Sequence, residues 1–317
     1  MNTPEQLAIG LDIGGTKMAF AVTDQSGVIH EEIVLPTLAE NPYDVTINRI
    51  AIQINNYLAR YPQIAGIGIG VPGPVDSATG VALNAVNLSW QNRALKTDLL
   101  RCLNREVAIY VENDVNVGAI SEHLFGNGSD TDNFIYISIG TGLGGATISG
   151  GQLMRGTASA EMEIGHISLD PENGLPCTCG LRGCVEMSIS GKGFMATAQA
   201  HFNDFPDTQL SLDNLSTYEI IRYAHIGDPL ADYIIDKAAY VLGITCAWCT
   251  IIFNPGLIIL GGGFSHATYD LLQDRVLETM KARCLPQSYD SVSVMLSKLS
   301  NAALGASALV WHSQKES

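Results

Sequence analysis

Residues 7–23 read Leu-Ala-Ile-Gly-Leu-Asp-Ile-Gly-Gly-Thr-Lys-Met-Ala-Phe-Ala-Val-Thr, and residues 134–149 read Phe-Ile-Tyr-Ile-Ser-Ile-Gly-Thr-Gly-Leu-Gly-Gly-Ala-Thr-Ile-Ser. Each is an apolar, strand-like run, a glycine and threonine turn, and a returning apolar run. The unit that opens the chain is therefore repeated in its middle. Side-chain-free glycines let backbone N–H groups approach an anion, and Thr16 adds a hydroxyl. Neither stretch is a Walker A loop, and no strand–Gly-x-Gly-x-x-Gly–helix unit follows the first strand, which disfavours a dinucleotide fold. Two α/β lobes that each open with such a turn are the arrangement expected of proteins that clamp nucleotide phosphates. Asp12, at the end of the first strand, is placed to hold Mg²⁺ through water beside those phosphates.

The remaining pattern fits this division. Val28–Leu35 completes a three-strand meander after Ser26-Gly27, and a helix follows Asn41-Pro42 with apolar residues Val45, Ile47, Ile50, Ala51, Ile54, Tyr57 and Leu58 near the 3.6 period. Ile64–Val71 and Val107–Val111 read as strands, with a helix over about Lys96–Leu103 between them. A helix with Val117, Ile120, Leu124 and Phe125 leads into the repeat, where the returning strand is expected over Ala146–Ser149. Later come a short strand, Leu257–Leu260, then Gly261-Gly262-Gly263, and a small-residue helix over Ser300–Trp311. The expected division is a small N-terminal lobe of 1–113 plus about 300–317, and a larger lobe of 114–299.

Between Glu163 and Glu186 one imidazole and three thiols are confined to a short segment: His166, Cys177, Cys179 and Cys184. Four N/S ligands make a closed structural zinc site, whereas a catalytic zinc keeps a position open. Glu163 precedes the histidine by one helical turn, and Glu186 follows the last cysteine closely. The metal would thus anchor two carboxylates, which are good acceptors for the hydroxyls of a polar ligand such as a sugar.

Composition limits the partners. The chain has 317 residues, 46% hydrophobic and 15% charged, with a net charge of −15; length favours two lobes, and the acidic balance argues against nucleic acid. An anionic substrate needs local positive charge. No secretory signal is visible at the N-terminus. The uncharged apolar run Ala238–Phe253 is interrupted by Gly243 and reads as a buried helix, not a membrane span. Its Cys246 and Cys249 have apolar flanks, so they read as core. Seven cysteines, three of them committed to the metal, suit a reducing cytoplasm.

Asp-x-Gly-Gly-Thr-Lys at 12–17, Gly-x-Pro-Gly-Pro-Val-Asp at 70–76, Asn-Asp at 113–114, Gly-Thr-Gly-x-Gly-Gly at 140–145, Glu-x-Gly-His at 163–166, Cys-x-Cys-Gly-x-x-Gly-Cys-x-Glu at 177–186 and Gly-Gly-Gly at 261–263 resemble the ROK family of sugar kinases and repressors. The resemblance runs in order through nearly the whole chain. It implies a two-lobed, actin-like ATPase fold of duplicated ribonuclease-H-like lobes with a zinc-bearing insertion. It also implies ATP-dependent phosphorylation of a hexose or amino sugar, Mg²⁺ with the ATP, structural zinc on His166, Cys177, Cys179 and Cys184, and a homodimer or homotetramer. By this resemblance Asp114 is the catalytic base. Gly73, Asn87, Asn113, Asp114, Glu163, His166 and Glu186 contact the sugar. Asp12, Gly14, Gly15, Thr16, Lys17, Gly140, Thr141, Gly142, Gly261, Gly262 and Gly263 hold ATP.

Asn87-Leu88-Ser89-Trp90 resembles the glucokinase-like members and favours glucose; N-acetylmannosamine, N-acetylglucosamine, allose, fructose or glycoside kinases are the alternatives. The family's repressors carry a winged-helix domain ahead of the Asp-x-Gly-Gly-Thr motif, which here begins at residue 12, so a kinase is expected. One departure stands out. Ala-Gly ordinarily precedes the glutamate at 163, and here Glu161-Met162 does; methionine has the bulk to intrude on the sugar pocket or its neighbours.

Phosphoryl transfer to a sugar hydroxyl needs positioning, charge neutralisation and a proton acceptor. Asp114 lies where a strand ends and a helix opens, the usual ligand crevice of α/β sheets. An aspartate with an ordinary pKa of about 3.9 is ionised at neutral pH and can take the hydroxyl proton. Local sequence also allows Asn113 or Asp114 to be no more than the cap of the next helix. Either ring nitrogen of His166 can ligate the metal while the other faces the sugar.

Overall fold

Strand β1 (Leu7–Ile13) pairs antiparallel with β2 (Lys17–Asp24), and β2 with β3 (Ile29–Pro36), so the opening meander forms as its glycine turns require. The computed structural model describes residues 6–316. Helix α1 (Tyr43–Arg60) buries Ile47, Ile50, Ala51, Ile54, Tyr57 and Leu58 on one face, while Val45 of the same apolar series is exposed. Strand β4 (Ile64–Val71) then pairs parallel with β1. A small antiparallel sheet of β5 (Val75–Asp76), β6 (Val81–Ala85) and β7 (Trp90–Arg93) precedes α2 (Leu95–Cys102). Strand β8 (Ala108–Asn113) completes the order β3-β2-β1-β4-β8 and runs directly into α3 (Asp114–Phe125).

The C-terminal helix, Ala302–Glu316, packs on this sheet and on α3. Its run of small residues has a steric cause. A Cβ at Gly10 would overlap the carbonyl of Ala303, and one at Gly68 the carbonyl of Ala306, so helix backbone lies directly on neighbouring positions of β1 and β4. Buried Thr23 donates to Ser307 Oγ at 2.7 Å in the same interface.

The middle of the chain repeats the plan. Strand β9 (Phe134–Ile139) pairs antiparallel with β10 (Leu143–Ser149); the two-residue β11 (Gln152–Leu153) follows. The short α4 (Glu186–Ile189), α5 (Gly191–His201) and α6 (Thr217–Ala224) lead to the long α7 (Pro229–Phe253). Strand β12 (Leu257–Gly261) is parallel to β9, α8 (Gly263–Arg283) packs on α7, and after α9 (Pro286–Asp290) strand β13 (Ser293–Leu296) is parallel to β12. The order β10-β9-β12-β13 reproduces β2-β1-β4-β8 with the same strand directions.

Contacts divide the chain into one unit of Met1–Asp130, Gln152–Glu161 and Leu299–Ser317 and a second of Thr131–Gly151 and Met162–Lys298. The boundary expected at 113/114 therefore falls after Asp130, because α3 packs against the C-terminal helix. Strand β10 starts at Leu143, not Ala146, which leaves a turn of only Gly140–Gly142.

Helix α7 begins at Pro229, well before the uncharged run. Buried Asp228 caps it, accepting from the Leu230 and Ala231 N–H groups at 3.1 and 3.0 Å. At 25 residues it is long and apolar enough to cross a membrane, but 72% of its most apolar window is buried in protein. It is a core helix.

Candidate active site

In the first unit, the turn after β1 is fixed by its own backbone: Gly14 N–H donates to the Lys17 carbonyl at 2.9 Å, and Thr37 ties it down through Oγ1 to the Gly14 carbonyl at 2.6 Å. Thr16 and Lys17 stay exposed. A Cβ on Gly15 would come within 3.1 Å of Asn87 Cβ, so Asn87 sits against this turn.

Asn113 and Asp114 divide the two roles that local sequence left open. Asn113 is the cap of α3: its Oδ1 accepts from Val115 N–H at 2.8 Å and Asn116 N–H at 3.3 Å, and its Nδ2 donates to the Gly73 carbonyl at 3.0 Å. Gly73 has φ +82°, and a Cβ there would strike the Asn84 carbonyl, so glycine is required to present that oxygen. Asp114 is left with its carboxylate reachable by water yet recessed, accepting from Val115 N–H of its own helix at 3.0 Å. Burial, and then the charge of Asp12, raise its pKa to about 6. Asp12 is likewise raised to about 6 by burial, partly offset by Lys17. The ordinary value expected from sequence thus gives way to one much closer to neutrality.

A partly buried network supports the start of α3. Glu112 accepts from Asn113 N–H at 3.0 Å and from Arg155 Nε at 3.2 Å, and Asn116 Nδ2 donates both to Glu112 at 3.1 Å and to Glu161 at 3.0 Å. The sequence pattern singled out Glu161 only as a departure before Glu163 and Arg155 not at all, since both lie far along the chain from the residues they meet.

In the second unit, Gly140 N–H donates to the Gly142 carbonyl at 2.9 Å to form the short turn. The turn borders an open cavity of about 810 Å³ that is lined by Gly140, Thr141, Lys192, Tyr218, Gly263 and Phe264 among others. Phe264 is buried and stands edge-on to Phe194 with ring centroids 4.7 Å apart. Gly262, with φ +85°, turns the chain from β12 into α8 and brings Gly263 to this cavity. Gly261 lies against Tyr136 at the strand end. Lys192, Tyr218 and Phe264 were missed in the sequence; the only signal was Ser190-Gly191-Lys192-Gly193, a helix start in which Ser190 caps Gly193 N–H at 3.2 Å. Lys192 supplies local positive charge in an acidic chain.

His166, Cys177, Cys179 and Cys184 come together with their ligand atoms all within 4.8 Å of one another. Gly180 (φ +90°) and Gly183 (φ +67°) permit the loop, and the Leu181 carbonyl receives Cys177 N–H at 2.8 Å. Cys177 Sγ lies 3.7 Å from His166 Nδ1, and Cys179 Sγ lies 3.6 Å from Cys184 Sγ. Such separations, and a three-sulfur, one-nitrogen donor set, suit tetrahedral zinc. His166 therefore turns Nδ1 to the thiols and Nε2 towards Glu163, whose Oε2 is 3.9 Å away.

Glu163 is exposed, but Glu186 is buried, with its Oε2 accepting Leu143 N–H at 2.9 Å. Met162 is also buried and has φ +54°, a left-handed conformation costly for a bulky residue and natural for glycine.

Among known proteins, a glucokinase of Halalkalibacterium halodurans is 31% identical over 304 residues, covering 93% of this chain and 91% of the relative. A solved ROK family glucokinase from Streptomyces griseus, in complex with glucose and AMPPNP, is 29% identical with a TM-score of 0.78, covering 96% of this chain and 98% of that one. A solved ROK family transcriptional regulator, a homologue of the E. coli MLC protein, is 25% identical with a TM-score of 0.87, covering 98% of this chain and 78% of that one. The mixed α/β architecture matches the actin-like ATPase fold of the ROK kinases. The family description "ROK family" matches residues 8–313, and the chain belongs to the ROK family.

Proposed function

We propose that this protein is an ATP-dependent sugar kinase that converts glucose to glucose 6-phosphate. The observation that carries this reading is Asp114: a recessed carboxylate at the mouth of a capped helix, raised to about 6, relieved of capping by Asn113. A base with a pKa just below neutral is mostly ionised at pH 7 and still basic enough to draw the hydroxyl proton as the phosphoryl group transfers. The glucokinase relatives and the glucose complex of one solved neighbour support the choice of sugar.

The other roles follow the chemistry of the side chains. Glu163, His166, Glu186 and Asn113 hold sugar hydroxyls, with Gly73 orienting Asn113 and Asn87 beside the first turn. The turns Gly14–Lys17 and Gly140–Gly142 receive phosphate oxygens through the backbone N–H groups not already used within the turns, those of Gly14 and Gly140 being so used. The cavity edged by Tyr218, Gly263 and Phe264 takes the nucleoside, with Lys192 near its phosphates.

Burial raises the cost of ionising both Asp12 and Asp114, and the charge of Asp12 adds to it at Asp114, an environment that favours a cation. Asp12 would hold Mg²⁺, which when bound neutralises phosphate charge. His166, Cys177, Cys179 and Cys184 would hold structural zinc, which stiffens the segment bearing Glu163 and Glu186. Exposed Ile251 and Ile252 near the end of α7 support assembly as a homodimer or homotetramer, and seven cysteines with no disulfide among them suit the cytoplasm.

The similarity to a transcriptional regulator favours a second reading, a sugar-responsive repressor without turnover. One assay decides between them. ADP release is measured by coupled enzymes over a panel of hexoses and N-acetylhexosamines; glucose should give the highest kcat/KM, and no sugar-dependent release with any of them overturns the kinase reading.

A further inference from the structure

Leu143 is where the Gly140–Gly142 turn becomes strand β10, and the metal-site segment grips it from two directions. Its N–H donates to Glu186 Oε2 at 2.9 Å. Its carbonyl faces Gly165, where any Cβ would overlap that oxygen. Glu186 stands two residues after Cys184, and Gly165 adjoins His166, so both contacts spring from the segment that carries the cysteines and histidine. Gly142 adds a third observation: a Cβ there would lie 2.6 Å from Glu186 Oε2, and the only other atom within 4 Å among the described residues is the same side chain's Cδ. Glycine is needed at 142 because Glu186 occupies that space.

A carboxylate at the first position of a helix is ordinary, since it favours the helix N-terminus. That explains a Glu at the start of α4 but not why this one is 6% exposed and aimed at an amide far along the chain. A buried carboxylate must be hydrogen-bonded to be tolerated, and an amide-to-carboxylate bond is of the stronger, charge-assisted kind. On its other side the turn is held by backbone alone, through Gly191 N–H to the Gly140 carbonyl at 3.0 Å and Lys192 N–H to the Thr141 carbonyl at 3.3 Å.

We propose that Glu186 is a positioning residue for the nucleotide phosphates: through Leu143 and Gly142 it transmits the geometry of the Cys/His loop to the Gly140–Gly142 turn. This rests on the reading of that turn as a phosphate cradle. Two properties of Glu186 then separate. Its acceptor atom sets the turn, whereas its charge serves the sugar.

The test is ATP binding without sugar, by calorimetry, together with hydrogen exchange at the Leu143 amide. Glu186→Gln keeps an acceptor for Leu143 N–H and should bind ATP within about threefold of wild type, with the amide still protected, whereas Glu186→Ala should weaken binding about tenfold or more and expose the amide. Gly142→Ala should weaken binding comparably, yet the double variant should be no weaker than Glu186→Ala alone, because the obstacle is gone. Unchanged binding in Glu186→Ala, or simple addition of the two effects, overturns the proposal while leaving the kinase reading intact. Wild-type protein that binds no ATP overturns both. If Glu186→Ala does not fold, Gly142→Ala decides alone: normal affinity with a protected Leu143 amide refutes the link, and lost affinity supports it.

Discussion

Asp114→Asn should abolish turnover and at the same time stabilise the protein, but only above about pH 6. Burial first, and the Asp12 charge second, lift the Asp114 pKa from 3.8 to about 6. A group raised in this way favours the folded state while it is protonated. That contribution is present below the unfolded value, near pH 4, and is lost as pH rises through about 6. At neutral pH the folded protein carries an ionised carboxylate in a place that disfavours it. Asparagine carries no charge at any pH, so the substitution removes this cost at pH 8 and changes little at pH 4. Because water reaches the carboxylate, the shift is discounted to about 1 kcal/mol, or roughly 2–4 °C in Tm. Turnover should fall about 10²–10⁴-fold in kcat with sugar affinity nearly kept, since the amide preserves shape but takes no proton. Differential scanning calorimetry at both pH values, with steady-state kinetics, reads the two effects. A variant that is less stable than wild type at pH 8, or that keeps a kcat close to wild type, would refute the account of this residue.

Wild-type kcat/KM measured at low concentrations of both substrates should decline as pH drops below about 6, where Asp114 takes up its proton; a flat profile to pH 5 argues against it as base. Cys179→Ser should lower zinc content, read by elemental analysis, and thermal stability, since structural zinc contributes directly to folding; metal-free wild-type protein of equal stability would exclude the metal. Glu163→Gln should raise the sugar KM by roughly tenfold while ATP KM and zinc content hold, as a site that loses a charged acceptor gives up about 1.5–3 kcal/mol; an equal rise in both KM values with zinc loss would make Glu163 a support of the metal loop only.

Much of this protein is written locally. The glycine turns after β1 and β9, the apolar period of α1, and the run of three cysteines beside one histidine each depend on residues close in sequence, and patterns of that range can be read without coordinates. The repeat of the opening strand–turn–strand unit is legible in the same way, whereas the order of the strands in each sheet is not.

What tertiary structure alone decided involves partners far apart in the chain. Helix α3 joins the first unit because it packs on a C-terminal helix whose small residues lie on Gly10 and Gly68. The capping of α3 by Asn113 frees Asp114, but its pKa depends on burial first and then on the charge of Asp12, distant in the chain. Glu186 could be recognised from its motif, whereas its hold on Leu143 could not. Sequence fixes the backbone's short-range preferences and the chemical groups available; desolvation, charge coupling and close packing act through space, and only the folded chain sets those distances.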